Sequence, residues 1–132
     1  MSSKESGITD VRSAYPVAET ISKLETLAVA QGLMVFARID FSGDALRAGL
    51  TLRPMQMLLF GNPKAGTPLL AAAPRSGLDL PLKALAWEDP DGAVWVSFNS
   101  PAYIADRHSL PSALIANISG LHTLIERATS RQ

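Results

Sequence analysis

The stretch Phe60-Gly61-Asn62-Pro63-Lys64-Ala65-Gly66-Thr67-Pro68-Leu69 constrains this chain more than any other. An apolar run over residues 54–60 ends there in a loop rich in Gly and Pro, and the loop meets Thr67-Pro68, a favourable helix opening. So apolar a run suits a central strand covered on both faces. The pattern predicts a tight elbow between that strand and a short helix over 68–73, ended by Pro74. Backbone N–H groups at such an elbow converge on one spot, with Lys64 close by, and that is where an anion could be held.

The remaining chain is punctuated in the same way. Residues 8–15 suit a first strand, and Pro16 suits the first position of a helix. Val17, Ile21, Leu24 and Ala28 then share one helical face. Glu19 and Lys23 are ordered for an i,i+4 pair, and Gly32 stands where a left-handed cap would end the helix. Residues 33–40 alternate as a strand, with Leu33, Val35, Ala37 and Ile39 on one face and Met34, Phe36, Arg38 and Asp40 on the other. Ser42 can cap a short helix stopped by Gly49. Asp89-Pro90-Asp91-Gly92 predicts a hairpin between strands over 80–87 and 93–99. A turn of helix fits within 100–107. The last helix starts near Pro111 and buries Leu114, Ile118, Leu121, Ile125 and Ala128, with Gly120 costing it about 1 kcal/mol relative to Ala. Two long helices, each with one apolar face, beside a mainly antiparallel sheet give a two-layer α+β domain. Residues 1–7 are expected to be a disordered tail and 8–132 the single domain.

Composition enters as a set of exclusions. A hydrophobic fraction of 47% against 18% charged residues fits a packed core rather than a disordered chain. Twelve basic and twelve acidic residues cancel, so no general field draws the chain to nucleic acid or a membrane surface, and no basic run supplies a local one. The absence of cysteine removes disulfides, thiolate nucleophiles and Cys-ligated zinc. Residues 1–7 lack an apolar signal core, and no run approaches the ~20 residues that span a bilayer. A cytoplasmic protein without cofactor is the expectation.

Three blocks carry a resemblance. The first is Val35-Phe36-Ala37-Arg38-Ile39-Asp40, and the second is the elbow extended through Leu70. The third runs Leu78-Asp79-Leu80-Pro81-Leu82-Lys83, continues into Trp87-Glu88-Asp89, and closes with Asn99, Pro101-Ala102-Tyr103 and Arg107-His108. In these the chain resembles domain-of-unknown-function family 302, from about Ile8 to its end. The resemblance implies a fold similar to the TATA-box-binding-protein class, a curved antiparallel sheet with two helices on one face, and a homodimer. It implies no activity, because the family has no settled biochemical role. Two departures stand out: Phe41 where the family commonly has His, and Phe98 where Tyr is usual.

The chemistry candidates are few. Gly61 and Gly66 have the G-x4-G spacing of a phosphate loop, but Thr67 stands where a Walker loop needs Lys, which excludes nucleotide triphosphate hydrolysis. A simpler anion site survives, against the plain reading of a rigid elbow. Thr67 would cap the helix, leaving the N–H groups of Leu69 and Leu70 to meet the ligand. Asp40 and Arg38 share a strand face, where an ion pair is the plainer reading than a general base. His108 could act in acid–base chemistry, though a hydrogen bond near the helix start, with Arg107 paired to a carboxylate such as Asp106 or Asp40, is simpler. His108 and His122 alone make a poor metal signal, and no serine shows a nucleophile elbow. Trp87 and Trp95 flank the hairpin as packing residues or, less simply, as a stacking platform. The favoured reading is a dimeric domain binding a small anionic ligand through Gly61, Asn62, Lys64, Gly66 and Thr67, with Asp40, Arg107 and His108 facing the same cleft. An assembly module is the alternative, and an acid–base enzyme using Asp40 and His108 ranks third.

Overall fold

The computed structural model describes residues 6–131. Of the expected tail, residues 1–5 lie outside the described residues. Ser6 and Gly7 form a turn against the domain, where the Gly7 carbonyl accepts from the Ser100 N–H at 2.8 Å.

Strand β1 (Ile8–Ser13) leads into helix α1 (Val17–Ala30), for which Pro16 is the N-cap rather than the first helical residue. Val17, Ile21, Leu24 and Ala28 are all buried, and Ile21 and Leu24 each contribute about 2 kcal/mol through that burial. Gly32 takes φ +80°, the left-handed cap that ends α1. The Glu19–Lys23 pair does not form: the Lys23 ammonium sits over the Tyr15 ring, 4.4 Å from its centroid.

Strand β2 (Met34–Asp40), helix α2 (Phe41–Arg47) and strand β3 (Met55–Gly61) follow, then helix α3 (Pro63–Ala72) and a 3₁₀ turn (Pro74–Leu78). Strands β4 (Leu82–Glu88) and β5 (Val94–Asn99) make the expected hairpin. The Asp89 carboxylate holds its turn by accepting from the N–H groups of Asp91 and Ala93. Helices α4 (Pro101–Arg107), α5 (Ser112–Ile115) and α6 (Leu121–Thr129) complete the chain.

The five strands form one antiparallel sheet in the order β1-β5-β4-β3-β2. Directly opposed residues share a face. Leu58, Phe60, Ala84, Ala86, Val94, Val96 and Phe98 thus point to one side, where they pack in a single core with α1 and α6. The opposite side, carrying Met57, Leu85, Trp87 and Trp95, is only partly buried. Strand β3 is therefore covered on one face, not both. Its apolar outward residues pair with other apolar side chains across the sheet.

Two further corrections concern pattern. A bulge between Val35 and Ala37 breaks the alternation of β2, so Val35 and Arg38 face the helices while Ala37 and Ile39 face away. Arg38 accordingly reaches α1, donating to Ser22 and Glu25, and does not pair with Asp40. The expected long C-terminal helix is two pieces. Between them the N–H groups of Asn117 and Ile118 bond three residues back, a tightening favoured where Asn, Ser and Gly cluster. Ile118 joins a smaller core with Leu69, Ile104, Ala105 and Leu110, while Leu121, Ile125 and Ala128 stay in the main one. Leu82 packs against both.

Candidate functional site

The elbow folds differently from its reading. Helix α3 starts at Pro63, and its N-cap is Asn62, whose Oδ1 accepts from the Lys64 N–H at 3.0 Å. The Asn62 carbonyl takes the N–H groups of Ala65 and Gly66 at 2.9 and 2.8 Å. Pro63 has no N–H to offer. Every first-turn donor is consequently engaged inside the helix. Thr67 is not a cap, and Leu69 and Leu70 lie deep in the helix rather than at its start. Lys64 is exposed and has no ion pair or side-chain hydrogen bond among the described residues. The converging amides on which an anion site at this elbow would rest are therefore already engaged.

What the elbow does build is a cleft of about 440 Å³. Phe36 of β2, Leu70 of α3, Leu80, Leu82 and Ile118 give it apolar walls, and Asn62, Thr67 and Asn117 supply its polar edges. Asn117 ties the rim together by donating through Nδ2 to the Ala65 carbonyl at 2.9 Å. Gly61 and Gly66 also line it. Of the five elbow candidates, four therefore meet at the cleft, and Lys64 does not. A Cβ placed on Gly66 would meet nothing within 4 Å, so the wall is open there for want of a side chain.

The other three candidates sit elsewhere. Asp40 is the N-cap of α2, accepting from the Gly43 N–H at 2.9 Å and from the Ser42 hydroxyl at 2.7 Å. Those bonds, the Gly43 one foremost, hold its carboxyl below the ordinary value. Met34 is the residue of β2 that pairs with Gly61, and Asp40 lies six residues farther along, about 20 Å away at the rise of a strand. It does not line the cleft, and its hydrogen bonds go to Ser42 and Gly43 rather than to His108.

Arg107 and His108, at the end of α4, converge on Asp79, which the sequence offers only within the third block of the resemblance. His108 Nε2 lies 2.5 Å from Asp79 Oδ2, and Arg107 Nη1 donates to both carboxylate oxygens at 3.1 and 3.2 Å. A carboxylate only accepts, so Nε2 is the donor of this bond, and Nδ1 takes no part in it. The His108 side chain is 7% exposed. Lys83 donates to the Asp79 and Pro81 carbonyls. Burial pushes the Lys83 ammonium below its ordinary value, with the Asp79 charge pulling the other way. Arg107, His108 and Arg75 line a second cavity of about 430 Å³. It shares no lining residue with the cleft.

The tryptophans occupy the half-buried sheet face with their indole N–H groups satisfied. Trp87 donates to Ser97 Oγ at 2.8 Å, and that hydroxyl donates to Asp10 at 2.5 Å. Trp95 donates to Asp89 at 3.0 Å, the chief cause holding that carboxyl below its ordinary value. Phe98, in the place where the resemblance leads to expect Tyr, is buried in the main core against the His122 ring. No group of three or more His, Cys, Asp or Glu able to hold a metal ion occurs among the described residues.

The family model described as "Domain of unknown function DUF302" matches residues 9–128. The crystal structure of an uncharacterized conserved protein DUF302 from Bacillus stearothermophilus superposes with a TM-score of 0.75 over 93% of this chain and 95% of that one. At 19% identity this is likeness of fold alone. The chain is also 43% identical over 128 residues to proteins named fluoride-specific ion channel FluC 1 from Brucella suis biovar 1 and Brucella abortus biovar 1. Those matches take in 94% of this chain but 50% and 47% of the relatives, so the chain spans about half their length. Among the described residues no helix is long and apolar enough to cross a membrane.

Proposed function

The chain belongs to the DUF302 family, and from that footing we propose that it is a cytoplasmic binding domain whose cleft beside α3 takes a small, largely apolar molecule. The observation that carries this is the cleft itself: roughly the volume of a small-ligand site, apolar walls, and a few polar groups at its edge to orient a guest. The anionic character expected at the elbow is dropped here, because its amides are engaged within the helix. Gly66 gives the test. Gly66→Ala adds a methyl to open space and is expected to raise stability by up to about 1 kcal/mol through helix propensity. Gly66→Phe puts a ring into the cleft. Small apolar probes with one hydroxyl, such as 2-naphthol, are expected to shift the amide resonances of Gly66 and Leu70 in the parent and in Gly66→Ala, and to leave Gly66→Phe unmoved. Equal binding by Gly66→Phe, or none by the parent across a panel of such probes, would sink the reading.

A second reading, assembly, is favoured by the apolar side chains that rim the same region. Met34 and Phe36 on the edge strand are about half exposed, Leu78 is 72% exposed, and Leu70 is also open. The Brucella relatives join a half like this chain to another half. The part of a channel that crosses the bilayer would then lie in that other half, with this domain docked to it or to a second copy of itself. Sedimentation velocity of the chain alone, and mixed with the other half of the Brucella suis relative, separates the cases. A homodimer or a complex supports assembly; a monomer in both experiments removes it.

A further inference from the structure

The second cavity has a character opposite to the cleft. Arg75, on the 3₁₀ turn, lines it and has no ion pair or hydrogen bond among the described residues. Arg107 lines it as well and spends only Nη1 on Asp79, leaving Nε and Nη2 without a partner among the described residues. His108 is the third polar wall, its ring held through Nε2 by Asp79, with Nδ1 neither enclosed nor bonded among those residues. The Ser109 hydroxyl completes the rim. Among the described residues no acidic side chain lines the cavity. Asp79 stands behind His108 and is already shared between that ring and Arg107, and Asp106, next to Arg107 on α4, is not among the lining residues. The charged side chains that line it are thus two guanidinium groups, in a chain whose overall charge is zero.

We propose that this cavity is an oxyanion site for a small molecule carrying a carboxylate or phosphate group. Arg75 and Arg107 supply the charge, since planar guanidinium groups match the paired oxygens of both groups. His108, fixed by Asp79, is the directional contact and presents Nδ1 for a hydrogen bond with the guest. A volume of about 430 Å³ holds a metabolite rather than a bare ion. The anion-binding property expected of the elbow thus finds its basis at Arg107 and His108, across the 3₁₀ turn from the cleft. This site does not depend on the cleft reading, because the two share no residue.

Arg75→Ala is the discriminating variant, since an exposed side chain without partners leaves the fold intact, which circular dichroism checks. Inorganic phosphate and acetate are titrated separately at constant ionic strength held with sodium chloride. Saturable shifts at the amides of Arg75, Arg107, His108 and Ser109 are expected with at least one of the two, and which one identifies the group recognised. Arg75→Ala is expected to weaken that binding by about tenfold or more, as befits a charge-assisted contact. Lys64→Ala should match the parent. Absence of saturable shifts with both probes, or parental affinity in Arg75→Ala, would overturn the proposal. So would loss of binding in Lys64→Ala, which would return the anion to the elbow.

Discussion

Gly7→Ala is expected to destabilise the protein by about 2–4 kcal/mol, through left-handed backbone cost and overpacking together. Gly7 has φ +74°, a conformation that disfavours any Cβ. A Cβ built there would lie 2.1 Å from Cγ of Tyr103 and within 2.5 Å of both Cδ atoms. The obstacle is the base of an aromatic ring rather than the free end of a flexible chain. Relief requires moving either α4 or the turn before β1, and the turn is held by the Ser100 N–H bond to the Gly7 carbonyl. The conformational and steric parts can be told apart. Tyr103→Ala added to Gly7→Ala removes the clash but not the φ penalty, so the double variant should lose less than the two single losses added together. Chemical denaturation with a single slope for all variants measures this. Strict additivity would mean that the ring and the glycine do not meet.

The same contact shows what could be read from residues in order and what could not. Local signals held wherever one element decided its own state: the apolar stripe of α1, the glycine that ends it, and the Asp-Pro-Asp-Gly hairpin all appear where the pattern puts them. The elbow was ambiguous for a physical reason. Asn62-Pro63 and Thr67-Pro68 are both N-cap–proline pairs, and either can open a helix. The earlier start won in the fold, where it adds about one and a half turns and seats Leu69 fully buried in the smaller core, although it puts Pro68 inside the helix. Read in order, the residues favour the later start, which places the helix after the last glycine of the loop. With that choice the free amides vanished and a cleft wall appeared in their stead. Arg38 went to α1 because a bulge at Phe36 inverted the strand, and a bulge leaves no mark on alternation until the partner strand is known. Asp79 was missed for a plainer cause: its partners stand 28 and 29 residues later, and nothing in that spacing marks the pair.

Asp79→Ala carries the other large expectation, a loss of about 1–3 kcal/mol, the usual cost of stranding a buried donor. Its two partners contribute unequally. Arg107 is 48% exposed, and water replaces the carboxylate there at little cost. His108 is 7% exposed, so its Nε2–H has no comparable substitute and the ring loses the group that fixes it. Asp79→Asn keeps an acceptor oxygen of the same shape without the charge, and should recover roughly half of the loss if the hydrogen bond outweighs the ion pair. His108→Ala alone should cost about as much as Asp79→Ala, and the double variant little more than either, because each single change already breaks the bond. Both variants remove the same negative charge, so the oxyanion site should read the ring alone: weaker in Asp79→Ala, where the histidine is free to turn, than in Asp79→Asn, where it stays held. Were Asp79→Ala to bind phosphate or acetate as Asp79→Asn does while losing stability, the carboxylate would be a structural clasp for α4 alone. The site would then reduce to Arg75 and Arg107 acting without the ring.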